Sequence, residues 1–200
     1  IMMTHNPKTP TRAFPESLMK QDFPFSYTHL LRFKKDLLER AAYKKFHLNS
    51  EHPFYSQFNI SSDIFKRYKV VWKRMTNDLF ACVISQFKTP FGYKMIIPMD
   101  TTSFIGTDHQ DEAHYLCVIL NSKPVRDFIK SFSSAGRGFG TPSVMEHIGI
   151  PKFDPKNKIH QKLSEISQKC HQLKSEGKEK EFEKLEKEND GLVMKLFSEK

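Results

Sequence analysis

Nine histidines, three cysteines and an acidic cluster at Asp108, Asp111 and Glu112 are the side chains through which this chain could bind metal or move protons. Their spacing argues against both. A zinc site draws its ligands from close pairs. Here Cys82, Cys117 and Cys170 lie far apart on apolar stretches, His109 and His114 have no cysteine at ligand spacing, and His160 and His171 are too far apart on one helical stretch to share an ion. Nuclease chemistry needs carboxylates clustered around a divalent ion. Asp108, Asp111 and Glu112 instead precede a helical pattern, whose N-terminal dipole favours acids. No catalytic residue and no metal ligand is assigned.

The remaining chemistry is basic. Lys66, Arg67, Lys69, Lys73 and Arg74 flank a strand-like run, Lys88 and Lys94 edge the following turn, and Arg137 sits in a glycine-rich stretch. Lysines of this kind anchor phosphates, and a guanidinium can grip guanine with two hydrogen bonds, which makes Arg74 and Arg137 the candidates for reading bases. A surface salt bridge or a solvated charge is the ordinary alternative for each. Gly136-x-Gly138-x-Gly140 does not fit a dinucleotide-binding loop, because a helical pattern rather than a strand precedes it. A flexible surface loop and a loop that contacts nucleic acid both fit its composition.

These residues need elements to position them. Ala113, Leu116, Cys117 and Leu120 recur at helical spacing, Pro124 restarts a helix, and Val125, Phe128, Ile129 and Phe132 mark its apolar face. Ser143 and Glu146 form a capping-box signature for a short helix ending near Gly149. Upstream, residues 68–75, 79–87, 93–98 and 102–105 read as short strands of an antiparallel or mixed sheet, and residues 26–46 as one helix with a basic face. Between them, Phe54, Tyr55, Phe58 and Phe65 are expected to plug the core, with base stacking as the alternative. Downstream, Ile159, Leu163, Ile166, Cys170 and Leu173 form one heptad seam and Phe182, Leu185, Asn189, Leu192 and Leu196 another, with Gly177 in the gap, so the two helices are expected to turn back on each other. The fold class that follows is α+β: an N-terminal helix, a twisted sheet of short strands covered by helices, and a C-terminal antiparallel helical hairpin.

Two hundred residues suffice for one well-buried domain with a helical appendage. A formal charge of +9 points to an anionic partner, of which nucleic acid is the commonest for a soluble chain, and 18 Phe argue against disorder. The cysteines are expected to be buried free thiols of a cytoplasmic protein, and no apolar run reaches membrane-spanning length. Residues 1–24 are polar and proline-spotted, and read as a linker cut from a longer polypeptide.

The run ILNSKPVRDFIKSF, the glycine stretch and TPSVMEHIGIPKFD resemble the C-terminal half of the target recognition domain of adenine-specific DNA methyltransferases of restriction-modification systems. HPFYSQFNI and YKVVWKRM upstream and KIHQKLSEISQKCHQL downstream fit the same order. The likeness is nearest to the type IIG enzymes that fuse methylation to cleavage, more distant to type I specificity subunits, and strongest between Tyr43 and Leu173. It implies a target recognition domain at 25–155 and a helical hairpin at 156–200 that packs on that domain or on a methyltransferase body. Its partners would be double-stranded DNA and a methyltransferase domain in the same or a partner chain. In the family, methyl transfer requires a loop for S-adenosylmethionine and an Asn-Pro-Pro-Tyr-type motif; this chain has no Pro-Pro pair. The cofactor would therefore belong to the parent enzyme, and this chain would choose the site. The rival reading is a protein-protein interaction module built on the heptad helices, and a third is an enzyme whose site these motifs do not reveal.

Overall fold

The alternation of Tyr68, Val70 and Trp72 with Lys69, Val71 and Lys73 makes the central strand of the larger of two compact units, Lys66–Lys200. The computed structural model describes residues 2–47, 50–132 and 140–198. Strand β3 (Tyr68–Lys73) lies between β4 (Ala81–Ile84) and β7 (Thr102–Thr107), and both pairings are antiparallel. Val70 and Trp72 are buried in one continuous core with α5 (Gln110–Asn121), α8 (Lys158–Ser175) and α9 (Glu179–Ser198). Helix α5 is covered on nearly every side: Ala113, Tyr115, Cys117 and Ile119 have no exposed surface. Its 3.6-residue period is therefore blurred, since α8 takes the face that the sheet does not. Helix α6 (Lys123–Phe132) buries the narrower stripe of Val125 and Ile129.

The architecture is α+β, as the sequence patterns imply. In detail it departs from them. The run 79–87, expected as one strand, divides into β4 and β5 (Gln86–Thr89), and among the described residues β5 pairs only with β6 (Gly92–Met95), in a separate two-stranded ribbon. The short helix α7 (Pro142–Met145) starts one residue before Ser143, capped by Thr141 without a side-chain hydrogen bond, so the capping box expected at Ser143 and Glu146 is not used. Gly149, with φ of 63°, ends the 3-10 turn that follows. Gly177, at φ of 70°, reverses the chain between α8 and α9, as the break in heptad phase predicts. Both helices belong to the same compact unit as the sheet: Leu163, Ile166, Leu173, Val193 and Leu196 are all buried. Of the thiols expected to be buried, only Cys117 is; Cys170 is partly covered and Cys82, on the two-sided edge strand β4, is exposed.

The other unit is Ile1–Phe65. Residues read as linker carry a hairpin, β1 (His5–Asn6) with β2 (Thr9–Ala13), and helix α1 (Glu16–Asp22), whose Met19 is 2% exposed. The expected long helix at 26–46 is three short ones, α2 (Pro24–Leu31), α3 (Lys34–Glu39) and α4 (Ala41–Phe46). The break at Arg40 has a cause. Its backbone is extended (ψ 131°), and its guanidinium donates to the carbonyls of Leu37, Phe54 and Ser56, pinning the aromatic segment against the helices. Phe54 and Tyr55 are buried beside Tyr27, the plug expected of them, and the Tyr55 hydroxyl donates to the Phe14 carbonyl at 2.7 Å. Among the described residues no helix is long and apolar enough to cross a membrane.

Candidate nucleic-acid interface

The basic residues fall at the two ends of β3. Lys66 and Arg67 precede it; Lys73 closes it and Arg74 follows. A six-residue strand separates these pairs by roughly 20 Å, so they do not make one patch. Lys66 donates to Asp108 at 2.6 Å, and the Arg67 amide donates to the same carboxylate. The hydrogen bond from Lys66 holds the Asp108 carboxyl below its usual range, with the Arg67 amide adding to it. Asp111 and Glu112 are also engaged, accepting from Gln168 and Thr107 respectively.

Lys69 does not serve as a phosphate anchor. It lies mid-strand between Ile84 and Gly106, has no exposed surface, and points its ammonium at the Lys66 carbonyl 2.7 Å away. Burial lowers its pKa, since removing an ammonium from water penalises the charged form. At the other end Lys73 is exposed, and the Arg74 guanidinium reaches Asp100, meeting its carbonyl at 3.4 Å and its almost wholly solvated carboxylate at 3.5 Å. A pair so exposed is screened and readily exchanged for another anion. Arg137 lies outside the described residues. Gly140, the last glycine of that stretch, is described: its amide donates to the Arg74 carbonyl and its carbonyl accepts from Trp72 Nε1 (2.8 Å) and Ser103 Oγ (3.0 Å).

Lys88 and Lys94 do come together. In the β5–β6 ribbon Phe87 pairs with Lys94 and Lys88 with Tyr93. Cross-strand partners share a face, and successive residues alternate, so each face of the ribbon carries one aromatic ring beside one ammonium. Phe87 and Tyr93 are about two-thirds exposed, and Phe91, in the turn, is 89% exposed. Thr89 Oγ1 braces that turn, donating to the Gly92 carbonyl and accepting from the Phe91 amide. Because Ile84 pairs with Lys69, the ribbon leaves the main sheet at the Lys66–Arg67 end. The exposed rings were not singled out because residues 79–87 and 93–98 read as strands of one sheet, with Phe91 in the turn between them. The signal lay in FKTPFGYK, where rings and lysines mirror each other across the turn and neither face is apolar throughout.

Among the described residues no group of three or more His, Cys, Asp or Glu side chains is arranged to hold a metal ion. His114 and His171, whose rings lie 5.0 Å apart, are held by other bonds: His114 Nδ1 to Ser167 Oγ, and His171 Nε2 accepting from the Val83 amide. Compared with known proteins, the chain matches no family model and no curated protein.

Proposed function

We propose that this chain recognises duplex DNA and serves as the target recognition, or specificity, part of an adenine-N6 DNA methyltransferase of a restriction-modification system. The observation that carries the DNA reading is the ribbon: a two-stranded β-element is one of the shapes the major groove admits, and this one presents a lysine and an aromatic ring on each face. The net charge of +9 supports the same partner. Identification of the enzyme rests on the resemblance of the 43–173 region. In this reading the chain breaks and makes no bonds. Lys73, Arg74, Lys88 and Lys94 anchor phosphates and the ribbon tip approaches the bases. A methyltransferase domain of the same or a partner chain, carrying S-adenosylmethionine, flips and modifies the adenine in the cytoplasm.

Fluorescence anisotropy of the full chain on labelled duplexes, over a salt series, tests the proposal. The expected result is binding that weakens steeply and linearly in log affinity against log salt, with one duplex preferred over scrambled ones. A flat salt response rejects DNA as the partner and favours a protein-interaction module. Of the heptad side chains on which that rival depends, Leu163, Ile166, Leu173 and Leu196 are buried within the chain itself, and Ile159, Cys170, Leu185 and Leu192 pack partly buried against its core, which supports the DNA reading over it.

A further inference from the structure

The tip of the β5–β6 ribbon is chemically unlike its sides. From Gln86 to Lys94 every residue except Thr89 is exposed, and the two residues at the head of the turn, Pro90 and Phe91, are apolar. Their side chains carry no hydrogen-bond donor or acceptor, Pro90 has no amide proton, and the Phe91 amide already donates to Thr89 Oγ1. None of these groups can read a base edge by hydrogen bonding. What the tip does present is a ring, 89% exposed at Phe91. Resting on the DNA reading above, we infer that Phe91 is a wedge: it inserts between two stacked base pairs, kinks the duplex there, and selects sequence by how readily that step opens.

Three features of the ribbon carry it. The first is a braced tip: Thr89 Oγ1 accepts from the Phe91 amide and donates to the Gly92 carbonyl at 2.6 Å, so the ring is held out before DNA arrives and less freedom is lost on insertion. The second is charge on both faces. Lys88 pairs with Tyr93 and Lys94 with Phe87, which points the two ammonium groups to opposite sides. A groove is bounded by two phosphate strands, and one lysine meets each. The third is depth. At about 3.4 Å per residue, Lys88 and Lys94 stand roughly 7 and 10 Å behind the tip. The major groove is about 8.5 Å deep, so a ring at its floor leaves both lysines near the phosphate rim. Unstacking one step costs about as much as stacking bases on an aromatic ring returns. The step itself then decides the balance: CA/TG steps unstack readily, whereas A-tracts are stiff. The lysines bind every sequence, and the wedge adds the discrimination.

Two duplexes of about twenty base pairs, one of alternating CA/TG steps and one a continuous A-tract, each with a donor dye at one end and an acceptor at the other, test the wedge with the full chain at low salt. Anisotropy of the same samples reports binding, and energy transfer reports bending. The expected result is binding to both, with transfer at saturation rising on the CA/TG duplex, as a kink of about 20–90° requires, and rising less on the A-tract. Phe91→Ala should bind the CA/TG duplex about tenfold more weakly, the loss of one ring stacked on a base, and at saturation should leave it straight. Phe91→Trp should restore the kink, and circular dichroism of both variants monitors folding. Binding without a rise in transfer, or a rise that a folded Phe91→Ala chain retains, overturns the wedge and leaves the DNA reading standing. Equal bending of the two duplexes overturns selection by the step. Binding to neither duplex overturns both the wedge and the DNA reading.

Discussion

Gly140 shows how much one residue position can decide. A Cβ there would lie 2.1 Å from the Lys73 carbonyl oxygen, a backbone atom that cannot swing aside, and 3.1 Å from the Trp72 ring. The glycine lets the backbone at this position lie against the end of β3 and complete the hydrogen bonds of Trp72 and Ser103. Gly140→Ala should therefore lower stability by about 2 kcal/mol or more, read as a shift of the urea unfolding midpoint at constant slope. His114 gives a second residue-scale expectation. Burial, reinforced by His171, lowers its pKa to about 4, from the ordinary 6.5. The unfolded chain takes up this proton first as pH falls, so the stability held by neutral His114 is complete above about pH 6.5 and is lost on the way down to about pH 4. The linkage amounts to about 3 kcal/mol. His114→Gln should flatten that part of the stability profile measured by denaturant titration between pH 4 and 7. An unchanged slope would mean that the proton is taken up elsewhere.

At the scale of elements, the ribbon and the helical hairpin have opposite economies. Helices α8 and α9 are stable through burial, and their connection depends on Gly177, at φ of 70° with open space where a Cβ would stand. Gly177→Ala should cost about 1 kcal/mol from backbone conformation alone, measurable in the same unfolding titration. The ribbon β5–β6 buries almost nothing of its own and keeps its rings in water. Exposed aromatic surface of this kind fits a contact site better than a folding unit. Lys88→Ala and Lys94→Ala should each reduce the magnitude of the salt slope of duplex binding by about 1 and weaken all sequences alike. Phe91→Ala, which removes no charge, should lower affinity and leave that slope where it was. Loss of slope in Phe91→Ala would place the ring away from the DNA and its effect on the lysines.

Taken as a whole molecule, the chain has charge enough for DNA but distributes it at separate points. If Lys73, Arg74, Lys88 and Lys94 each neutralise one phosphate, the log-log salt slope is about −3.6, and affinity falls roughly a hundredfold between 50 and 200 mM salt. A much shallower dependence in the anisotropy series would mean that one end of β3 is unused. Lys69→Met supplies the whole-chain control: it removes one formal charge from a buried position and should leave the slope unchanged.

Local patterns in the sequence determined the α+β class, the α5–α6 pair, the reversal at Gly177 and the aromatic plug at Phe54 and Tyr55, because helical period, turn glycines and dense aromatics act over a few residues. They also located Lys88 and Lys94 as a pair at a turn. Tertiary structure alone decided the rest. Lys69 is buried while Lys73, four residues on in the same strand, is exposed, and alternation along one strand cannot tell them apart. The helix expected through Arg40 breaks there because its guanidinium satisfies carbonyls at Phe54 and Ser56, partners that a local window never meets. The ribbon separates from the main sheet because, among the described residues, β5 pairs with β6 alone. The buried Asn189, whose amide donates to the Val118 carbonyl, has the same origin: hydrogen bonds and burial are settled by neighbours brought from far along the chain, and spacing in sequence carries no record of which neighbours those are.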